Sequence, residues 1–261
     1  MHFMRFIDQG ENPAAFNMAL DEAISVAVRQ KHSPPTIRLY QWDIPSVTIG
    51  FFQRTSDINT VYCAEKGYPV IRRITGGRAI LHDAELTYSV SSLKDSFPFG
   101  NRLFEDYSII SKALAHGLAS LGVDAHLSFS KKRAEGHRYP ACFKAVSYGE
   151  VTVGGRKIIG SAQKRYHDGF LQQGSIMLDF RPEELSNVLN GCTEEDCREI
   201  GAVNSSSGKL LMRDLKLSLK EAFEKELRVK TITDGPSTFE LSLAKELEIK
   251  KYAAREWNFA R

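Results

Sequence analysis

The stretch Arg72-Arg73-Ile74-Thr75-Gly76-Gly77-Arg78-Ala79-Ile80-Leu81-His82-Asp83, followed by Glu85-Leu86-Thr87-Tyr88-Ser89, decides how this chain is read. Its apolar, β-branched runs are short and Gly76-Gly77 interrupts them, so it reads as strand, glycine turn, strand. Paired glycines let a backbone approach a ligand that any Cβ would push away, and they accept a positive φ. The flanking Arg72, Arg73 and Arg78 can neutralise a phosphate or carboxylate, and His82 can orient a polar group. Blander readings stand beside these. A tight turn explains Gly-Gly without a ligand, and a lone histidine is commonly a hydrogen-bonded structural residue.

Outward from this block, segments 36–42, 46–52, 69–74, 78–82 and 86–92 carry the same strand signature, with Pro45 and Gly67 as punctuation. Upstream, Asn12-Pro13 offers an N-cap and a first helical proline, and Phe16, Leu20, Ala23, Ile24, Ala27 and Val28 follow at helical spacing. Helix returns over 106–121. A second strand group occupies 123–129, 148–153, 156–163 and 169–179, with Gly154-Gly155 as a hairpin turn. Beyond it the pattern is helical. Pro182 opens a short helix that Gly191 closes; Leu211, Leu215, Leu219, Phe223 and Leu227 form one apolar stripe; and Ser237 and Glu240 have capping-box spacing before a helix reaching about Tyr252. The expected class is α+β, with mixed and antiparallel sheets packed with helices. No Ser/Gly/Pro-rich linker divides the chain, so residues 1–261 are expected to form a single catalytic domain, with 181–261 as the candidate for a helical C-terminal subdomain.

A chain of 261 residues can bury a substantial core, and 42% hydrophobic with 26% charged residues is a globular balance. Polar residues from Asp8 to Asn12 stand where a signal peptide needs its apolar run, and no apolar stretch is long enough to span a bilayer. A cytoplasmic protein without membrane association is expected. Cys63, Cys142, Cys192 and Cys197 are too scattered for a disulfide scaffold, and Cys192 and Cys197 lack a second pair at zinc-ligand spacing, so no metal is expected. A five-residue offset on a helical stretch disfavours a bridge between those two, which makes them structural residues in this reading. A net charge of +3 is too mild to imply nucleic acid. Its clusters, at Arg72, Arg73 and Arg78 and at Lys131, Lys132, Arg133, His137 and Arg138, fit either a solvated surface or attraction of an acidic partner or phosphate-bearing ligand.

A second chemistry-bearing segment runs Pro140-Ala141-Cys142-Phe143-Lys144-Ala145-Val146-Ser147-Tyr148, then Val153-Gly154-Gly155-Arg156-Lys157-Ile158-Ile159-Gly160-Ser161-Ala162-Gln163-Lys164-Arg165. Lys157 stands just past the hairpin turn in an otherwise apolar strand, where a sheet can hold its amine as a carbonyl or oxyanion binder; an ordinary strand lysine is simply exposed. Cys142 follows a basic run, an electropositive setting that favours thiolate over thiol, whereas the commoner fate of a cysteine is burial as a small apolar side chain.

Together these segments resemble the lipoyl-attachment superfamily of lipoate protein ligases, protein octanoyltransferases and biotin protein ligases. The resemblance covers most of the chain: Asn17-Met18-Ala19-Leu20-Asp21-Glu22, the Arg-Arg-x-Thr-Gly-Gly-Arg-Ala block at 72–79, the Gly-Arg-Lys-Ile-x-Gly-Ser-Ala-Gln block at 155–163, Gln172-Gln173-Gly174-Ser175, and Lys251-Tyr252 with Glu256-Trp257-Asn258. Within it the chain looks most like the cysteine-dependent octanoyltransferases. Ligases usually read Gly-Gly-Gly and then His-Asp-x-Gly-Asn where this chain has Gly76-Gly77-Arg78 and His82-Asp83-Ala84-Glu85, and they tend to lack a cysteine at the position of Cys142. The chain departs from the transferase pattern at Ala145-Val146-Ser147-Tyr148, where a Pro-Ser-Trp-Tyr-like run is common, and at Gln173, where a histidine is common.

The resemblance implies a lipoate/biotin ligase-like catalytic fold and the following chemistry. Cys142 attacks the thioester of octanoyl-acyl carrier protein, and the amine of a lysine on a lipoyl domain or glycine cleavage H protein then takes the acyl group. Lys157 holds the carbonyl and its oxyanion, a role worth ~3 kcal/mol. Gly76, Gly77 and Gly160 allow close approach, with Ser161 and Ala162 beside them, and Arg72, Arg73, Arg78 and His82 line the mouth. The acyl chain buries about seven carbons at roughly 0.8 kcal/mol each, which calls for an apolar tunnel between sheet and helix. No cofactor is implied, and a monomer is the default. Three alternatives stay open: an ATP-dependent lipoate protein ligase, an octanoyl amidotransferase working between lipoyl-bearing proteins, and a non-catalytic carrier-binding protein.

Overall fold

The computed structural model describes residues 2–128, 149–198 and 200–261. Its first element is a strand, β1 (Phe3–Asn12), in which Met4 and Phe6 enter one core and Ile7 another, as a period of two demands. Asn12 belongs to this strand. Helix α1 (Ala14–Arg29) therefore starts one residue later than its Asn-Pro signal suggests, with Pro13 at the N-cap and no side-chain cap. Strands β2 (Thr36–Trp42) and β3 (Ser46–Ile49), a 3-10 turn at Thr55–Asp57, and α2 (Thr60–Lys66), capped by Asn59, come next. Then follow β4 (Val70–Arg72), β5 (Ile80–His82), β6 (Glu85–Leu93), α3 (Leu103–Ser120) and β7 (Ala125–Ser128). After residue 148 come β8 (Glu150–Val153), β9 (Arg156–Lys157), β10 (Ile159–Arg165) and β11 (Gly169–Met177). The remainder is mostly helical: α4 (Pro182–Val188), α5 (Glu194–Cys197), α6 (Asn204–Ser207), α7 (Met212–Leu227), strand β12 (Lys230–Thr233), α8 (Thr238–Leu247), a π-helical turn at Glu248–Tyr252, and α9 (Arg255–Asn258).

Six strands form one sheet in the order β10-β11-β6-β2-β1-β12. The pairs β10/β11, β11/β6 and β6/β2 are antiparallel, and β2/β1 and β1/β12 are parallel, so the sheet is mixed. Alternation along its strands sorts the residues onto two faces. Phe6, Ile37, Leu39, Leu86, Val90 and Phe170 pack beneath α3 and α7, whose Ile110, Leu114, Leu215, Leu219 and Phe223 complete that core. Tyr40, Trp42 and Leu171 turn to the opposite face, under Leu20, Ile24 and Val28 of α1 and Ala244 of α8. The α7 stripe is the one read from the sequence, except that Leu211 stays outside the helix as its exposed N-cap.

A smaller sheet, β4-β3-β5, packs its Val47, Ile49 and Leu81 against Ile58, Cys63, Leu185 and Val188 around α2 and α4. Here β4 runs parallel and β5 antiparallel to the central β3. The Gly76-Gly77 link thus joins strands that are not neighbours, and it crosses the end of β3. The crossing is tight: a Cβ on Gly50 would lie 2.0 Å from the Gly77 carbonyl oxygen, and Gly77 itself has φ 90°. The third sheet, β7-β8-β9, turns its β8–β9 hairpin at Gly154 and Gly155, both with positive φ, as the sequence signal requires. Residues beyond 181 contribute to all three cores.

Candidate active site

Where the large sheet meets the small one, a cleft opens with about 340 Å³ of space between its walls, open solvent included. Strand β10 supplies one wall through Gly160, Ser161 and Ala162, and β11 continues it with Gln173, Gly174 and Ser175. Met18 of α1, Tyr40 and Trp42 of β2, Thr87 of β6, and Thr48, Arg73, Ile80 and His82 from the small sheet and its flanks close the rest. Small residues on β10 leave the space, and aromatic and aliphatic carbon lines most of it.

Most of the polar side chains of this lining are engaged by two fully buried carboxylates. Glu85 accepts from Trp42 Nε1 at 3.2 Å, from His82 Nδ1 at 2.7 Å, and from the hydroxyls of Thr87 and Ser175. The Trp42 ring stacks on His82 at 4.0 Å, which fixes the imidazole plane. Thr48 Oγ1 lies 2.8 Å from His82 Nε2 and accepts from Arg73 Nη1 at 3.0 Å. Asp21 of α1 does the same on the other side. It accepts from Arg38 at 2.8 Å, Tyr40 at 2.7 Å, Ser89 at 2.8 Å and Gln173 at 2.7 Å. Burial, then the Asp21 charge, push the Tyr40 phenol well above its ordinary value, so it stays a donor. Gln173 also accepts from Thr75 at 2.9 Å, tying the glycine loop to the sheet. With its donors engaged on Asp21 and Glu85, the lining offers a chain-like apolar ligand mostly carbon. The sequence reading missed these two carboxylates; their signal is that each is a charged residue inside an otherwise buried run.

Of the residues singled out in the sequence, Arg73, His82, Gly160, Ser161 and Ala162 line the cleft, and Arg72, Gly76, Gly77, Arg78 and Lys157 lie outside its lining. Arg72 is a backbone clamp. Its Nη1 donates to the carbonyls of Gly50 at 3.0 Å, Phe51 at 3.2 Å and Gln53 at 2.7 Å, and its own N–H and carbonyl are held by Asn258 and Trp257 at 2.9 and 2.7 Å. Arg73 likewise spends Nη2 on the carbonyls of Gly76 and Arg78, both at 2.8 Å. The paired arginines therefore shape the glycine loop itself. Lys157, on β9, is 3% exposed and ion-paired with Glu150 on the adjacent strand β8. Its backbone carbonyl accepts from Gly201 N–H at 3.0 Å. Cys142, with the basic run at Lys131, Lys132, Arg133, His137 and Arg138, lies outside the described residues. Ser128 and Glu150, which flank that segment in sequence, are register partners.

Further along β10, Lys164 falls on the same strand face as Gly160 and Ala162 by the two-residue period. Its ammonium lies 5.1 Å from the Phe51 ring and 5.3 Å from that of Tyr166, and burial holds it below the ordinary lysine value, with Lys251 and Arg29 adding to the shift and Glu22 opposing it.

Residues 13–224 match the lipoyl protein ligase A/B catalytic domain. The chain is 38% identical to the octanoyltransferase LipM of Kyrpidia tusciae, with 99% of each chain covered, and 37% identical to that of Halalkalibacterium halodurans at the same coverage. The LipM of Bacillus anthracis is 36% identical, with 97% of each chain covered. Among solved structures, a lipoate-protein ligase A bound with ATP superposes at a TM-score of 0.83 and 24% identity, covering 99% of this chain and 98% of that one. A bi-partite lipoate protein ligase from Thermoplasma acidophilum superposes at 0.80 with 24% identity, covering 99% and 97%. These two structures share the fold.

Proposed function

Because the chain belongs to the lipoyl protein ligase A/B catalytic-domain family, we propose that it is an octanoyltransferase of lipoate biosynthesis, passing an octanoyl group from acyl carrier protein to a lysine of a lipoyl domain or glycine cleavage H protein. The observation that carries this reading is the identity with octanoyltransferases along essentially the whole length of both chains. The cleft supports it, since a wall of carbon with its donors turned onto Asp21 and Glu85 suits an aliphatic chain.

In this mechanism the Cys142 sulfur attacks the thioester carbonyl of the donor. A carbon–sulfur bond to the enzyme forms, the bond to the carrier breaks, and the carrier leaves as its thiol. The acceptor amine then attacks the enzyme thioester, loses a proton, and releases Cys142 as the thiol. Lys157 supplies the charge for each tetrahedral oxyanion; its buried pairing with Glu150 keeps an ammonium at a fixed point of the sheet, and Cys142 stands eight positions before Glu150 in the chain. Lys164, on the cleft's own strand face, lends positive charge toward acidic carriers, which speeds encounter in a salt-sensitive way. A monomer working in the cytoplasm meets these requirements. Among the described residues no helix is long and apolar enough to cross a membrane.

The test is intact-mass measurement after incubation with octanoyl-acyl carrier protein. The expected result is one added octanoyl group, removed by hydroxylamine and absent in Cys142→Ala, with Lys157→Ala slowing transfer per folded molecule by about two orders of magnitude, the folded fraction being measured alongside because the same change leaves buried Glu150 without its counter-charge. No adduct, together with pyrophosphate release on adding ATP and lipoate, would overturn it in favour of a ligase. Loading from octanoylated H protein but not from acyl carrier protein would instead identify an amidotransferase.

A further inference from the structure

Two thiols outside the cleft come together in a way the helical spacing argues against. Cys192 Sγ lies 3.2 Å from Cys197 Sγ. Five residues apart on a continuous helix, two side chains would point about 140° away from each other at 3.6 residues per turn. The helix here is only Glu194–Cys197, and Cys192 precedes its N-cap. Thr193 at that cap is extended, with φ −93° and ψ 161°, and its capping box with Asp196 folds the chain back so that Cys192 meets the end of the first turn. Cys197 is fully buried in the core around the small sheet, and Cys192 is half-buried beside it. Among the described residues no cluster of three or more His, Cys, Asp or Glu side chains is placed to hold a metal ion.

Close behind in sequence, Ile200 and Gly201 form a short strap that lies against the strand carrying Lys157. Ile200 N–H donates to the Cys197 carbonyl at 3.1 Å, Ile200 bridges to Lys157 in parallel register, and Gly201 N–H donates to the Lys157 carbonyl at 3.0 Å. A Cβ on Gly201 would lie 2.8 Å from Ile158 Cγ2 and 2.9 Å from Arg156 Cβ, so this strap is pressed against β9.

We propose that Cys192 and Cys197 are a reversible oxidation site for low-molecular-weight disulfides, closing to an intramolecular disulfide that fixes the Ile200–Gly201 strap against β9. The more accessible Cys192 thiolate attacks the oxidant's sulfur–sulfur bond, forming a mixed disulfide and releasing one equivalent of oxidant thiol. Cys197, 3.2 Å away, then attacks the Cys192 sulfur and releases the second. The two protein thiols are oxidised, the oxidant disulfide is reduced to two thiols, and the two protons are conserved. A cross-link around α5 removes the local openings in which that turn uncoils and lets Ile200 and Gly201 go. Its relevance to catalysis rests on the role given to Lys157 above; the oxidation chemistry does not.

The experiment treats the full-length protein with oxidised glutathione, blocks remaining thiols, and digests it with a glutamate-specific protease, which cuts after Glu194 and Glu195 between the two cysteines. The fragments bearing Cys192 and Cys197 are expected to stay joined and to separate on reduction with dithiothreitol. Fragments that separate without reductant, that each carry a glutathione adduct, or that are joined to Cys63 or Cys142 instead, would overturn the proposal. Hydrogen exchange then reads the strap. The Ile200 and Gly201 amides should exchange at least about tenfold more slowly in the oxidised protein, with no change in Cys192→Ser treated identically. Equal exchange in both redox states would overturn the strap coupling. Neither readout depends on octanoyl transfer, so failure here and failure of the octanoyltransferase assignment are told apart.

Discussion

Gly174 sits where two functions of one strand collide. It lines the cleft, yet a Cβ there would lie 2.4 Å from Tyr88 Cε1 and 2.7 Å from Ser161 Oγ. Tyr88 cannot give way easily: it is fully buried, its hydroxyl is 2.7 Å from Ser161 and accepts from Gln172 at 2.9 Å, and burial pushes its pKa up to about 12. Gly174→Ala should therefore cost about 1–3 kcal/mol of stability and lower octanoyl loading, because the displaced Ser161 belongs to the cleft wall; urea denaturation and intact-mass loading check the two effects separately. Residues of this kind were legible as a motif but not as a contact. The Gln-Gln-Gly-Ser run is visible in the sequence, whereas the partner that makes its glycine obligatory stands 86 positions earlier on another strand. Arg72 and Arg73 show the converse. Their charge suggests an anion, and the structure engages them largely on backbone carbonyls, which no residue type advertises.

Among the elements, β1 was hidden by its own polar end. Asp8 to Asn12 weaken a strand signal, and Arg5 interrupts its apolar run, but Arg5 is buried because α8 brings Glu240 to it from 235 positions away. Arg5 donates to both Glu240 oxygens, and the same carboxylate accepts from Ser237 N–H at 2.7 Å in the α8 capping box. The box was readable from Ser237 and Glu240; the second duty of Glu240 was not. Burial alone would raise this carboxyl's pKa, but Arg5 and the Ser237 amide outweigh it and hold the group below the ordinary carboxylate value. A depressed carboxyl stabilises the fold above its unfolded pKa of about 4.3, and that contribution disappears as pH falls through the lower, folded value. Glu240→Gln should lose about 3 kcal/mol at pH 7, where Arg5 is left buried without its counter-charge, and the gap to the wild type should narrow below pH 4. Chemical denaturation across pH 3–7 measures it; a gap independent of pH would refute the assignment. Helices with a full apolar period, α1, α3 and α7, were readable near their true limits, because their burial stripe is a local property. By contrast α5 is too short for any period, and that is why the meeting of Cys192 with Cys197 was not foreseen.

At the scale of the whole molecule, the α+β class and the order of strands and helices follow from periodicity and turn residues, but sheet order does not. Nothing local says that β4 and β5 flank β3, or that β1 enters the large sheet between β2 and β12. The cleft exists because those long-range pairings bring residues of both sheets together, and its loop is clamped from far down the chain. Asn258 accepts the buried Arg72 N–H, and Trp257 donates to the Arg72 carbonyl. Asn258→Ala leaves that amide without an acceptor, at a cost of about 1–3 kcal/mol, and should slow octanoyl loading through the Gly50–Gln53 turn that Arg72 holds. Stability falling while loading stays normal would show that the clamp and the cleft are independent.

That clamp also orders events in time. A nascent chain paused anywhere before Trp257 lacks the groups that hold the main chain at Arg72, although most of the sheet has already been synthesised. Completion of the Arg72 clamp thus follows synthesis of residue 258, later than every strand that walls the cleft, so the last few residues translated put the final tension on a loop laid down long before.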